Sequence, residues 1–100
     1  MSSYVVMVDD NFHYMDEDER TRDSEHPTAE AAITRCKAIV DAWLDQATSN
    51  APEPMTASEL LETYQGFGED PFVVAPAGTQ RVAFSAWEYA AARAKEICSR

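Results

Sequence analysis

The residues Tyr4–Val8 constrain the fold of this chain more than any other segment. All five positions are apolar, and three of them are valine. An aromatic and β-branched run without polar alternation is typical of a strand that is covered on both faces or lies inside a sheet. The following residues, Asp9–Asn11, favour turns and are expected to end this strand. The rest of the chain must then supply the neighbouring strands and the helices that cover them.

Two later segments carry apolar residues at helical spacing. Thr28 is a good N-cap residue, and the pattern that follows it predicts an amphipathic helix over about Thr28–Ala47. The apolar stripe of that helix consists of Ala32, Cys36, Ile39, Val40, Trp43 and Ala47. A capping box at Ser85–Glu88 begins a last helix over Ser85–Cys98. We expect the two helices to contact each other and the sheet, with Trp43 and Trp87 largely buried.

A short helix is predicted between these two. Thr56–Glu59 matches a capping box, in which the Thr and Glu side chains bond to free backbone N–H groups. Gly66 stands where a left-handed C-cap residue belongs, and Phe67 is expected to fold back on the last turn. Phe67 and Phe72 would then pack under the sheet.

The remaining strands follow from turn residues. Phe72–Ala75 and Gln80–Phe84 flank the turn Pro76–Thr79 and are predicted to pair as strands. The stretch around Glu19–Arg22 is the candidate for a further strand. The order of elements predicts an α+β fold, with a small antiparallel sheet of three to four strands. Two main helices and one short helix would pack on one face of it, and residues 1–100 would form a single domain.

Charge limits the partners of the chain. It has 18 acidic and 8 basic residues and a net charge of −10. The basic residues are scattered, so binding to nucleic acid or to an anionic membrane is not expected, whereas a basic protein or a cation suits the charge. Without a signal peptide or a membrane-spanning run, the chain is expected to be cytoplasmic, as a monomer or weak dimer.

No sequence motif indicates a cofactor, a metal site or a catalytic group. The chain lacks a Gly-rich phosphate loop, a nucleophile elbow and a zinc motif. Registers that begin at Asp9 or Asp16 lack the Gly and Glu of an EF-hand loop. Cys36 and Cys98 are too far apart in sequence for a disulfide framework and are expected to be reduced core thiols.

The candidate binding surface combines two acidic stretches. Turn and packing roles account for most of Gly66–Phe72, but not for its two acids, which would join the N-terminal acids if the two loops meet. The candidate residues are Asp9, Asp10, Asn11, His13, Tyr14, Asp16, Asp18, Glu69 and Asp70.

Three stretches resemble a group of small bacterial proteins. They are YVVMVDDNFHYMDEDER at Tyr4–Arg20, FGEDPFVV at Phe67–Val74 and FSAWEYA at Phe84–Ala90. The group has no assigned activity, so the resemblance implies a stand-alone domain and adds no catalytic residue. It also implies that the acidic segment and the Gly66–Phe72 turn are signatures of the group.

Two functions remain open at this point. The first is a small interaction or regulatory module without catalysis, which the lack of any nucleophile–base pair or cofactor loop favours. The alternative is an enzyme or metal-binding protein that uses the acidic loop Asp9–Asp18 together with His13.

The net charge generates a first prediction. Mutual repulsion of the acidic side chains lowers the stability of the folded state, and salt screens that repulsion. The melting temperature, followed by circular dichroism, should therefore rise between about 10 and 200 mM sodium chloride. A flat or falling curve would mean that the acids are paired locally and do not repel one another.

Overall fold

The computed structural model describes residues 3–10 and 20–98. Its strands are β1 (Tyr4–Asp10), β2 (Thr21–His26) and β3 (Glu69–Val74), and its helices are α1 (Ala29–Asn50), α2 (Ala57–Phe67) and α3 (Ala86–Cys98). The strands form one antiparallel sheet in the order β2–β1–β3. This confirms the predicted α+β class and the inner position of the first strand.

The β1 strand lies at the centre because its valines are covered. Val6 and Val8 pack on Ala32, Cys36 and Ile39 of α1. The strand does not end at Val8, as the turn-forming residues after it suggested. It continues through two aspartates, because their backbones have strand partners on β3.

A second cluster holds the helices together. Val40 and Leu44 of α1 meet Leu60 and Tyr64 of α2. The third helix contributes only small buried side chains, Ala86, Ala90 and Ala94, so its backbone approaches α1 and α2 closely. Leu44 is fully buried although the predicted stripe left it out.

Polar contacts join α1 to its neighbours. The Asp41 carboxylate accepts a hydrogen bond from the Tyr89 hydroxyl at 2.9 Å and one from Arg93 Nε at 2.9 Å. Burial, together with this bond to Asp41, raises the pKa of Tyr89 to about 12. On the sheet side, Arg35 donates two bonds to the Asp23 carboxylate of β2, which lowers the pKa of Asp23 to about 2.

The structure corrects the prediction for the tryptophans. Trp43 is half-buried, with its ring edge-on to Tyr64 at a centroid distance of 5.5 Å. Trp87 is 36% exposed, so the prediction of a largely buried side chain is wrong. The alanine face of α3 covers the core, and Trp87 lies about 100° around the helix from Ala86. Cys36 is a buried free thiol, as expected, whereas Cys98 is half-buried.

The predicted strand Gln80–Phe84 is also wrong. The turn before it is present, since the Thr79 N–H donates to the Pro76 carbonyl oxygen at 3.2 Å and Gly78 has a φ of +83°. After the turn, however, the chain is irregular. Phe84 packs against both core clusters and contacts the ring of Tyr89 on α3. These contacts direct the chain towards α3 and away from the sheet. The strand expected near Glu19–Arg22 does form, but it runs from Thr21 to His26.

The C-cap prediction for Gly66 is wrong as well. The capping box of Thr56 and Glu59 forms as expected, but the helix continues through Phe67. Gly68 then ends it, in extended conformation, and its N–H donates to the Tyr64 carbonyl oxygen at 2.8 Å. Phe67 is 63% exposed and does not fold back under the sheet.

The end of α2 generates the second prediction. A Cβ added at Gly68 would clash with the Tyr64 ring and lie 2.7 Å from the Tyr64 carbonyl oxygen, whereas one added at Gly66 would meet nothing within 4 Å. Gly68→Ala should therefore lower the free energy of unfolding by about 2 kcal/mol. The matched control, Gly66→Ala, should raise it by about 0.5 kcal/mol, because alanine favours helix. Urea titration measures both, and equal effects at the two positions would contradict the assignment.

Candidate functional site

The pairing of β1 with β3 brings the two acidic stretches together. In the antiparallel register, Asp9 lies opposite Asp70, and Asp10 lies opposite Glu69. The four residues are called the acidic quartet below. They meet as neighbours inside the sheet and not through contact between loops. The other candidate residues, Asn11, His13, Tyr14, Asp16 and Asp18, lie outside the described residues.

Strand alternation places the two acid pairs on opposite faces of the sheet. Val8 packs on α1, so Asp10, two residues on, belongs to the helix side together with Glu69. Asp9 and Asp70 belong to the opposite face, next to the Met7–Phe72 pair. Each face therefore carries one pair of acids at this end of the sheet.

Asp9 is held by an arginine. Arg20 Nε donates to Asp9 Oδ1 at 2.6 Å, and Nη2 donates to Oδ2 at 3.2 Å. The guanidinium lies over the Phe72 ring, with Cζ 5.1 Å from the ring centroid. Asp9 is only 8% exposed. This bidentate, charge-assisted ion pair offsets the free-energy cost of burying the carboxylate.

Asp70 has a different environment although it lies directly opposite. Burial, and to a lesser extent the charge of Asp9, raises its pKa to about 6. No hydrogen-bond donor or cation of residues 3–10 and 20–98 pairs with the Asp70 carboxylate. Among acidic groups, a carboxyl that titrates this close to neutrality is typical of functional sites.

Two open cavities flank the acidic quartet. The helix-side cavity, of about 510 Å³, is lined by Asp9, Asp10, Arg22, Asp23, Trp43, Phe67 and Glu69, among others. The outer cavity, of about 410 Å³, is lined by Asp9, Arg20, Asp70, Phe72, Arg81 and Trp87, among others. Each acid pair thus borders a cavity that also has aromatic walls.

Sequence reasoning found the acids but missed their neighbours. Arg20 stands next to the acidic segment, and that position was the available signal for its ion pair. Nothing in the sequence pattern of Trp43 or Trp87 separates a cavity wall from a core residue, because both fall on predicted apolar stripes.

In the described part of the chain, no group of three or more His, Cys, Asp or Glu side chains is arranged to hold a metal ion. None of the described helices has the length and apolar character needed to cross a membrane.

The chain was compared with protein-family models, with curated proteins and with solved structures, and none of the three comparisons gave a match. What the site does must therefore follow from its own residues.

The opposed carboxyls of Asp9 and Asp70 generate the third prediction. The folded protein keeps Asp70 protonated up to about pH 6, whereas an unperturbed carboxyl ionises at 3.8. The stabilising contribution of Asp70 is thus complete below pH 3.8 and is lost as the pH rises through 6. At pH 7.5, Asp70→Asn should raise the free energy of unfolding by about 1–2 kcal/mol, and this gain should shrink towards pH 4.

Asp9→Asn should have the opposite sign. It removes the carboxylate that accepts two bonds from Arg20, so the free energy of unfolding should fall by about 1–2 kcal/mol. Asp45→Asn, at an exposed position on α1, serves as the control and should change little. Urea titrations at pH 4.5 and 7.5 measure all three variants. The same sign for Asp9→Asn and Asp70→Asn would show that the two carboxyls share one environment.

Proposed function

We propose that this protein is a small, non-catalytic interaction or regulatory module that binds a basic segment of another protein through the acidic quartet. The observation that carries the proposal is the β1–β3 register, which sets Asp9 against Asp70 and Asp10 against Glu69. Like charges directly opposite each other in a sheet lower its stability. Arg20 balances the charge of Asp9, and a partner that supplies further positive charge would lower the repulsion within the quartet.

The helix-side cavity supports a basic partner by its chemistry. Its lining holds four acids and one cation, Arg22, and Trp43 and Phe67 are its aromatic residues. An arginine or lysine side chain has matching parts, because its charged head pairs with carboxylates and its stem or guanidinium packs on aromatic rings. Phe67, 63% exposed, is the large side chain that such a partner would cover.

The net charge of the protein supports the same partner class. A charge of −10 attracts basic segments over a distance and raises their association rate. The same charge makes copies of the chain repel one another, which favours a monomer or weak dimer. Nucleic acids and anionic membranes are excluded as partners in this proposal, and its setting is the bacterial cytoplasm.

An enzyme that uses paired carboxyls is the second candidate function. One observation favours it, namely that Asp9 and Asp70 lie opposite each other in different environments, an arrangement that acid–base catalysts use. For an enzyme, single changes at Asp9, Asp10 or His13 would abolish turnover. For the binding module, by contrast, each of several acids contributes part of the binding affinity, and no single change abolishes binding.

The fourth prediction tests the binding module with a defined probe. The probe is a fluorescein-labelled peptide of eight residues that alternates arginine and serine, and its neutral counterpart carries citrulline in place of arginine. Fluorescence anisotropy should detect binding of the arginine peptide and none of the citrulline peptide. The double variant Asp10→Asn/Glu69→Gln should weaken binding about tenfold, or about 1.4 kcal/mol.

A matched control removes the same charge elsewhere. Asp45→Asn/Glu53→Gln changes two exposed acids that line neither of the two cavities, and it should weaken binding less than about twofold. Equal weakening by the two double variants would show general charge attraction and no particular surface. Failure of the arginine peptide to bind the wild-type protein would also contradict the proposal.

A further inference from the structure

The strand β2 forms one edge of the sheet, and its outer side is open. The sheet order is β2–β1–β3, and no other strand of residues 3–10 and 20–98 pairs with β2 on that side. Helix α1 packs mainly on β3 and reaches β2 through the long Arg35 side chain, so it does not cover this edge. Backbone N–H and C=O groups along an open edge can pair with a further strand. The opposite edge, β3, is less suited to this because it contains Pro71, which has no N–H to donate.

A bulge gives β2 a pattern of faces that is the same in both directions along the strand. The register skips one residue of β2, Asp23, between the partners of Val6 and Met7. Asp23 bonds to Arg35 of α1 and so lies on the helix side, next to Ser24, the partner of the buried Val6. The pattern of faces is therefore symmetric about the Asp23–Ser24 peptide. The helix side of β2 consists of Thr21, Asp23, Ser24 and His26, and the other face carries Arg22 and Glu25.

This symmetry fits the contact that a two-fold axis makes. In a two-fold dimer, the same surface of both copies pairs with itself. An axis through the Asp23–Ser24 peptide, perpendicular to the sheet, sets two β2 strands antiparallel and pairs residues that lie on the same face. Arg22 of each copy then lies opposite Glu25 of the other copy.

The charges of β2 favour this register over its neighbours. Arg22 and Glu25 form an ion pair within the strand, and both side chains are more than half exposed, so they can exchange partners across the edge. Opposite charges directly across from each other stabilise a strand pair, and like charges destabilise it. A shift by one residue would set Asp23 opposite Asp23 of the second copy, or opposite its Glu25. The charges that usually protect an edge strand therefore permit one pairing and disfavour the adjacent ones.

We propose that β2 pairs with β2 of a second copy of this chain, which joins two three-stranded sheets into one sheet of six strands. This inference goes beyond the proposed function and does not depend on it, because the contact does not use the acidic quartet. A six-residue strand is about 20 Å long, so the paired edges bury less area than a stable dimer needs. The small area and the net charge of −10 on each copy limit the contact to a weak dimer, with a Kd of about 0.1–1 mM.

The experiment is sedimentation equilibrium up to about 1 mM protein, in about 200 mM sodium chloride to screen the net charge. Two single variants each reverse one charge of β2. Arg22→Glu sets two acids opposite each other at both ends of the pairing, and Glu25→Arg sets two arginines opposite each other. Because the dimer contains two such pairs, each variant should dimerise about tenfold more weakly than the wild type.

A mixture of the two variants tests the register itself. In a mixed dimer, Arg22→Glu and Glu25→Arg have opposite charges facing each other at both positions, so the equimolar mixture should recover the wild-type affinity. Each reversal changes the net charge of −10 by two, so both variants stay strongly negative and do not attract each other in general. Both variants also lack the ion pair within β2, so its loss cannot account for the recovery. Amide shifts of ¹⁵N-labelled Arg22→Glu, on addition of unlabelled Glu25→Arg, should be largest in β2.

The controls and the contrary outcomes are as follows. Lys95→Glu, at an exposed position on α3, makes the same charge change as Arg22→Glu and should keep the wild-type affinity. Circular dichroism checks that each variant is folded. A wild-type protein that stays monomeric at about 1 mM overturns the inference. So does a mixture that associates no better than either variant alone, or a loss of affinity in Lys95→Glu equal to that in Arg22→Glu.

Discussion

The antiparallel pairing of β1 with β3 is the interaction on which the rest of the structure depends. It joins two strands that are about 60 residues apart in sequence, and it sets Val6 against Val73 and Val8 against Pro71. These residues lie on the face of the sheet that packs on α1, and their contacts with α1 form a hydrophobic core. The same register carries the strands on into the acids and sets them in opposed pairs. Core and site are therefore consequences of one alignment, and a shift by one residue would move both to the wrong faces.

The elements that the sequence predicted well are those determined by local chemistry. The Thr28 cap, the Thr56–Glu59 capping box and the apolar Tyr4–Val8 strand each depend on side chains a few residues apart. The predictions that were wrong depend on contacts between elements. Gly68 ends α2, and its backbone lies against Tyr64. Phe84 does not join the sheet, because its side chain packs against both core clusters. Neither contact leaves a local pattern in the sequence.

For the candidate site, too, local features were predicted and contacts between elements were not. The sequence indicated Asp9 and Asp10 as acids that follow the first strand, and Glu69 and Asp70 as acids without a packing role. The sequence did not predict the β1–β3 register that pairs these acids. It also did not predict that Asp9 and Asp70, two residues of the same type, would have different surroundings. Asp9 has Arg20 as its partner, whereas Asp70 is half-buried and has no cation beside it among the described residues. That difference is set by where the chain enters β2, which is a property of the folded sheet.

The arginines show how the fold leaves negative charge at this end of the sheet. Arg35 joins α1 to β2 through Asp23, and Arg93 joins α3 to α1 through Asp41 and also pairs with Glu96. Arg22 pairs with Glu25 within β2. Each of these cations is bound to a carboxylate outside the acidic quartet, although Arg22 borders the cavity of Asp10 and Glu69, and Arg35 lies near Glu69. Arg20 reaches the quartet through Asp9. The bidentate bonds of Arg20 go to Asp9, and the pKa of Asp70, directly opposite, is raised by burial and by the charge of Asp9. At this end of the sheet, Trp43 and Phe67 border one cavity beside the acids, and Phe72 and Trp87 border another.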